Sequence, residues 1–315
     1  MSHQKSATGA DADVPASAAT TSSTSSRASW FTIPAPLARV FRRFPLVTYP
    51  ANELPVRSPT HRHLPALYVF ASDEDALRGW PSFNPSCLKW QTFLKLAGVQ
   101  VRIVPSNNHA SPTGALPFLI PPSAASDADS QLPVPSNKLE RYALQHGPNQ
   151  VPDVAGTKMD AYQSLLDHRI RNAWLYALYL SPPNSQLLSQ LYVAPVSSSK
   201  PVQTTVLYQL RRAAEAEILQ SVGARVVDSA ALYNGAEQAF DALATALGSE
   251  AWFFGSSEPG LFDATVFAYT HLVLDETLAW IDTRMKAALQ KFPTLVDHRA
   301  RVLARCWPEM AAGSV

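Results

Sequence analysis

Residues 261–274, LFDATVFAYTHLVL, place the tightest constraint on this chain. A helix written in these residues is apolar almost all round. Such a helix belongs in the centre of a protein, wrapped by other elements. The run holds one carboxylate, Asp263, in its first turn, and Asp275 and Glu276 close it. It falls short of the roughly 20 apolar residues that a bilayer-spanning helix needs. No other stretch comes closer, so no transmembrane helix is expected. The pattern predicts a central buried helix over 261–280. An acid at the third helical position can accept the backbone N–H of the cap residue, which is half of a capping box, and it suits the positive end of the helix dipole. Gly260 stands at the cap, where Ser or Thr is usual, so only that reciprocal half is available. Asp263 is therefore expected to be structural, not catalytic.

Ahead of this helix the chain changes character several times. Residues 1–28 are rich in Ser, Ala and Thr, carry acids and lack an apolar segment. They read as a disordered tail, not a secretory signal. Residues 29–63 combine repeated Pro with large apolar side chains and have a net charge of +4. That is too apolar for a plain linker and too broken for a core. Two readings stay open: a strap over its own domain, or a docking arm for another protein or a membrane surface. The arm would use Trp30, Phe31, Arg39, Phe41, Arg42, Arg43 and Phe44.

Residues 64–150 give an α/β pattern. A strand is expected over 66–71 and a helix over 84–98, with Asn84 as cap and Pro85 at its first position. A second strand is expected over 99–106. A turn, Leu116-Pro117 and a third strand follow within 110–122, then a short strand, a turn and a helix within 132–147. Everything from 151 to 315 reads as helical or loop. A stripe of Tyr162, Leu165, Leu166, Ile170, Ala173, Trp174 and Leu178 marks one long helix. Residues 181–205, with four Pro, read as an irregular insert with one helix turn, and further helices are expected over 206–222, 225–247 and 283–306.

Composition excludes some functions. There are 26 basic against 25 acidic residues, whereas a general nucleic-acid binder carries a strong basic excess. Two cysteines, Cys87 and Cys306, give no disulfide framework and suit a reducing compartment. His61 and His63 form an isolated His-x-His with no cluster of further ligands, so no metal site is expected.

The order β-α-β, Leu-Pro before a strand, β-α, then an all-helical half resembles the glutathione-transferase fold: a thioredoxin-like domain followed by a helical domain. The segment GALPFLI (114–120) is similar to the cis-proline segment of that fold. The run FFG…LFDATVFAY is similar to the central helix of its second half. Within that superfamily NPSCLKWQTFLKLAGV (84–99), SNNHASPTGALPFLI (106–120) and DAYQSLLDHRIRNAWLYALYL (160–180) resemble the metaxin branch. The segment 30–55 together with SNNHASPTGALPFL (106–119) resembles the smaller metaxin-like subunit of the fungal sorting and assembly machinery, which inserts β-barrel proteins into the mitochondrial outer membrane.

The resemblance implies a peripheral subunit on the cytosolic face of that membrane, with no cofactor. Its partners would be an Omp85-type β-barrel subunit, a second metaxin-like subunit and β-barrel precursors. A transferase needs a Ser, Tyr or Cys for the thiolate. Here Phe83 and Asn84 precede Cys87, and Cys87 reads as a small buried hydrophobe. A transferase also shows Glu-Ser before the helix after its last strands. Here Ser136 remains, but Pro135 replaces the acid. Enzymatic activity is therefore not expected. A glutathione-dependent transferase and a scaffold module of a soluble complex are the alternatives. In transferases the backbone beside the cis-proline pairs with the extended glutathione chain. The groove of Leu116, Pro117 and Ser136 is thus a candidate holder of an extended precursor segment. The rival is that this edge is covered and the barrel subunit receives the signal.

Overall fold

The computed structural model describes residues 63–122, 132–152 and 157–312. The arm residues Trp30, Phe31, Arg39, Phe41, Arg42, Arg43 and Phe44 lie outside the described residues, as does His61.

Four short strands form one sheet in the order β2-β1-β3-β4. They are β1 Ala66–Val69, β2 Arg102–Pro105, β3 Phe118–Ile120 and β4 Val134–Pro135. β1 and β2 are parallel, with Leu67 opposite Ile103. β3 runs antiparallel to both its neighbours, with Leu119 opposite Leu67 on one side and Val134 on the other. A parallel pair needs a long crossover. That crossover contains α1, Asp73–Arg78, and α2, Pro85–Leu96. After β4, a tight turn at Ser136–Lys138 leads into α3, Leu139–His146.

Gly147 is required where α3 ends. A Cβ there would stand 2.3 Å from the Ala97 carbonyl oxygen, so only glycine lets the chain pass the end of α2. Asn149 then closes that helix end, its N–H donating to Ala97 O and its side-chain amide to Leu96 O.

The helical half opens with α4. It begins as Thr157–Leu165 and continues through the π turn Leu166–Ile170, the α segment Arg171–Leu175 and the π turn Tyr176–Leu180. The remaining helices are α5 Ser185–Leu188, α6 Lys200–Val222, α7 Ser229–Leu247, α8 Leu261–Leu274, α9 Arg284–Leu289, α10 Pro293–Cys306 and α11 Pro308–Ala312. Among the described residues no helix is long and apolar enough to cross a membrane.

Every residue of α8 from Phe262 to Val273 is buried. The helix packs on α2 on one side and on α10 on another. It is the pillar on which the thioredoxin-like half rests. Its hydroxyls cause no trouble there, because Thr265 and Thr270 donate to carbonyls of their own helix.

Several boundaries differ from expectation. α8 stops at Leu274, not 280. Asp275 takes an extended backbone and caps a short turn, its side chain accepting from the Thr277 N–H. The expected helix 283–306 is two helices, because Pro293 starts α10 afresh. The insert 181–205 holds a real helix: α5 continues through the π turn Ser189–Val193. α6 begins at Lys200, six residues before its expected start, with Pro201 in its first turn. Proline is favourable there because the first turn has no use for its missing N–H. α7 starts at Ser229, not 225, with the Asp228 side chain accepting from Ala230 and Ala231 N–H groups.

Candidate functional site

A cleft of about 360 Å³ opens where the start of α2 and the segment before β3 face α4 and α6. Asn84, Ser86, Leu116, Arg171, Tyr179 and Tyr192 line it among others.

Asn84 is the N-cap of α2. Its carbonyl oxygen accepts from the Cys87 N–H at 3.2 Å, and its amide donates to the Tyr192 hydroxyl at 3.0 Å. The residue at the helix mouth is thus spent on capping and on tying the two halves together. Around it the loop is fixed by Gln91, which accepts from Ser82 N–H and donates to Trp80 O. Cys87 is fully buried, and burial pushes its thiol up to about 12. A helix N-terminus favours a thiolate only where solvent or a cation can help. Cys87 is a packed side chain.

Tyr192 is buried and Tyr179 half-buried in an aromatic cluster with Phe70 and Phe83. Burial raises both phenols above their ordinary value, so neither is poised to act as a base. Arg171 is paired with Glu217 at 2.7 Å across the cleft wall.

The Leu116–Pro117 peptide is cis. The Leu116 N–H donates to Asn108 Oδ1 at 3.0 Å. The loop is shaped to permit this: Asn107 caps the short turn Asn108–Ala110, and Ser111 donates to Ala115 O at 2.7 Å. One of the two main-chain groups beside the proline, which an extended chain would use, is therefore already taken. β3 is also an interior strand, between β1 and β4. Leu116 and Pro117 are buried, and Ser136 is half-buried at the turn after β4. Phe118 stands opposite Pro135, so Pro117 and Ser136 lie together at one end of that strand pair.

Gly260 and Asp263 lie elsewhere, at the start of α8. The Gly260 N–H donates to Asp263 Oδ2 at 2.9 Å. Asp263 Oδ1 also accepts from the Phe253 N–H at 3.1 Å and faces His298 Nε2 at 2.9 Å. Both side chains are buried. Sequence reasoning saw the cap contact and missed His298, which is 35 residues away with no motif linking the two. A second buried carboxylate, Asp282, was also missed. It accepts from Arg284, Ser181 and Tyr233. The Arg284 hydrogen bonds hold it well below the ordinary carboxylate range. Among the described residues no cluster of ligands fit for a metal occurs.

Comparison with known proteins agrees with this geometry. A family model described as the glutathione S-transferase N-terminal domain matches residues 85–184, and one for the glutathione S-transferase C-terminal domain matches 236–302. Metaxin-3 of Xenopus laevis is 27% identical over 199 residues, covering 61% of this chain and 62% of that protein. The chain thus spans less than two thirds of the length of that curated relative. Among solved structures, glutathione transferase GSTFuA3 from Phanerochaete chrysosporium is 14% identical with a TM-score of 0.44, over 74% of this chain and 98% of that one. Glutathione transferase Omega 2S from Trametes versicolor is 14% identical with a TM-score of 0.44, over 81% and 93%. The fold is that of a glutathione-transferase-like protein, thioredoxin-like at its N-terminal side and helical beyond. Within that class, the curated relative that the chain resembles is a metaxin.

Proposed function

We propose that this chain is a non-enzymatic subunit, held peripherally on the cytosolic face of the mitochondrial outer membrane. There it serves the sorting and assembly machinery that inserts β-barrel proteins. An Omp85-type barrel subunit and a second metaxin-like subunit are its neighbours in this reading, and the arm 29–63 attaches it.

The observation that carries the reading is Asn108 on the Leu116 N–H. A glutathione chain would meet a donor already satisfied by the protein itself. Cys87 is buried and Asn84 is spent on capping, so neither of these two offers a nucleophile to the cleft. Pro135 supplies neither a carboxylate nor an N–H. Likeness to Metaxin-3 supports the membrane assignment. An extended precursor segment would likewise have to displace Asn108 before pairing with Leu116, which favours receipt of the precursor by the barrel subunit.

The test is affinity capture from a detergent-solubilised mitochondrial outer membrane, with glutathione calorimetry beside it. Recovery of an Omp85-type barrel protein, and no specific heat at millimolar glutathione, are expected. A micromolar glutathione affinity that Ser136→Ala abolishes would return the chain to the transferases.

A further inference from the structure

A second and larger groove, about 840 Å³, lies on the other side of the Phe70–Tyr192 contact. The start of α1, the end of β2, the segment after α5 and the C-terminal end of α8 surround it. It falls in the size range of sites that enclose sizeable ligands. Nothing in the proposed function uses it.

Its floor contains a polar group with nothing to bond. His271 is 2% exposed, and among the described residues neither ring nitrogen has a hydrogen-bond partner. The ring stacks on Phe267 at 5.0 Å. A buried donor and a buried acceptor left unmade are costly, and native interiors rarely tolerate both in one ring. An occupant bringing an amide would satisfy them.

The walls say what that occupant carries. Phe70, Trp80, Phe83, Leu191 and Leu278 are apolar, while Asp73, Asp75 and Asp275 are acidic. Among the described residues no Lys or Arg lines the groove, and none of the three carboxylates joins an ion pair. Two arginines stand nearby. Arg78 pairs with Glu74 and stacks on Trp80 at 4.5 Å, so the indole face already holds one cation. Arg299 is close enough to feel Asp275 but forms no ion pair with it. Three unpaired carboxylates around an aromatic slot favour a cation carried on an apolar body.

We propose that this groove receives a short peptide segment of a partner protein, in which Lys or Arg flanks a large apolar side chain. The apolar side chain enters between Phe83 and Leu191. The base meets Asp73 and Asp275, and a main-chain amide bonds His271. The inference is independent of the membrane assignment, because it rests on a different surface.

The test uses the purified full-length chain and a fluorescein-labelled twelve-residue peptide alternating Phe or Leu with Arg. A second peptide has Glu in place of Arg. Saturable binding of the basic peptide is expected, at least about tenfold tighter than the acidic one, and weaker as salt rises. Asp73→Lys with Asp275→Lys lies at the groove rim, and should lower affinity about tenfold or more with the circular dichroism spectrum unchanged. His271→Phe, which keeps the ring volume and removes both nitrogens, should weaken binding several-fold. Equal binding of both peptides, or no response to the double reversal, would overturn the proposal. A photo-crosslinker at Leu191 identifies the occupant. Crosslinks to the basic peptide support the proposal, whereas crosslinks only to this chain's own residues 29–63, or to a second copy, refute it.

Discussion

Asp263 and His298 meet across the inside of the helical half, Oδ1 to Nε2 at 2.9 Å, from helices that begin more than 30 residues apart in sequence. The same carboxylate holds the N–H of Gly260 and the N–H of Phe253. One side chain thus closes the start of α8, fixes the loop before it and pins α10. The acid in this greasy helix is a joint.

Asp263→Ala leaves two backbone donors and an imidazole without their partner. Each buried loss costs about 1–3 kcal/mol, so the three together should cost at least about 3 kcal/mol, above the 0.5–2 kcal/mol of a lone cap. Urea unfolding measures it. A double-mutant cycle with His298→Ala should show strong coupling. A loss below about 1 kcal/mol, or simple additivity, would mean the joint is ornamental.

His271 gives the fold a sensitivity to acid. Burial, with Arg299 adding to it, lowers the imidazole from 6.5 to about 3. Unfolded chains take up the proton below about 6.5 and the native state does not. The group therefore stabilises the fold fully above that pH, and its contribution is lost as pH falls toward 3. Between pH 7 and 5 the wild type should lose about 1–2 kcal/mol through this group. His271→Phe should lose correspondingly less over the same interval. Parallel urea midpoints for the two proteins at both pH values would count against it.

Cys87 and Cys306 are both raised to about 12 by burial. Neither should alkylate with iodoacetamide at pH 8 in the native protein, while both should react in urea. Their contribution to stability is present below about 9 and declines as pH rises toward 12, since only the unfolded thiols ionise readily there. Mass spectrometry of native protein after an hour of alkylation decides the first point. Rapid modification of Cys87 would reopen a thiol function.

The arm 29–63 has a net charge of +4. Arg42→Glu with Arg43→Glu should weaken recovery of the membrane complex, most clearly at low ionic strength, where the charges are least screened. Removing residues 1–28 should change little. Undiminished co-purification of the double variant at low salt would exclude these two arginines from docking.

Much of the scaffold was legible because its signals are local. Asn84 and Pro85 announce α2, Leu116-Pro117 announces β3, and the unbroken apolar run of α8 announces burial. The misses have local causes too. Ser72 followed by three acids and then Gly79 is a complete short-helix signal, yet α1 was passed over. Pro201 was read as a break, although it sits in the first turn of α6. The site was less legible because its decisive contacts are not local. Asn108 on Leu116 needs a loop to fold back, and Asn84 on Tyr192 joins residues 108 apart. No spacing rule reports that a backbone donor is already occupied.

The indole of Trp307 donates to the Gly79 carbonyl at 2.8 Å, 228 residues back along the chain. Trp307 is wholly buried, stacked on Phe267 and overlaid by Lys95 of α2. The thioredoxin-like half therefore cannot seal its own helix face as it leaves the ribosome. It must wait, with the apolar side of α2 uncovered, until α8 and then Trp307 are made. Loss of the segment from 307 onward, by nonsense mutation or by proteolysis, should not yield a slightly shorter protein. It should yield one whose first domain stays open to chaperones throughout its life.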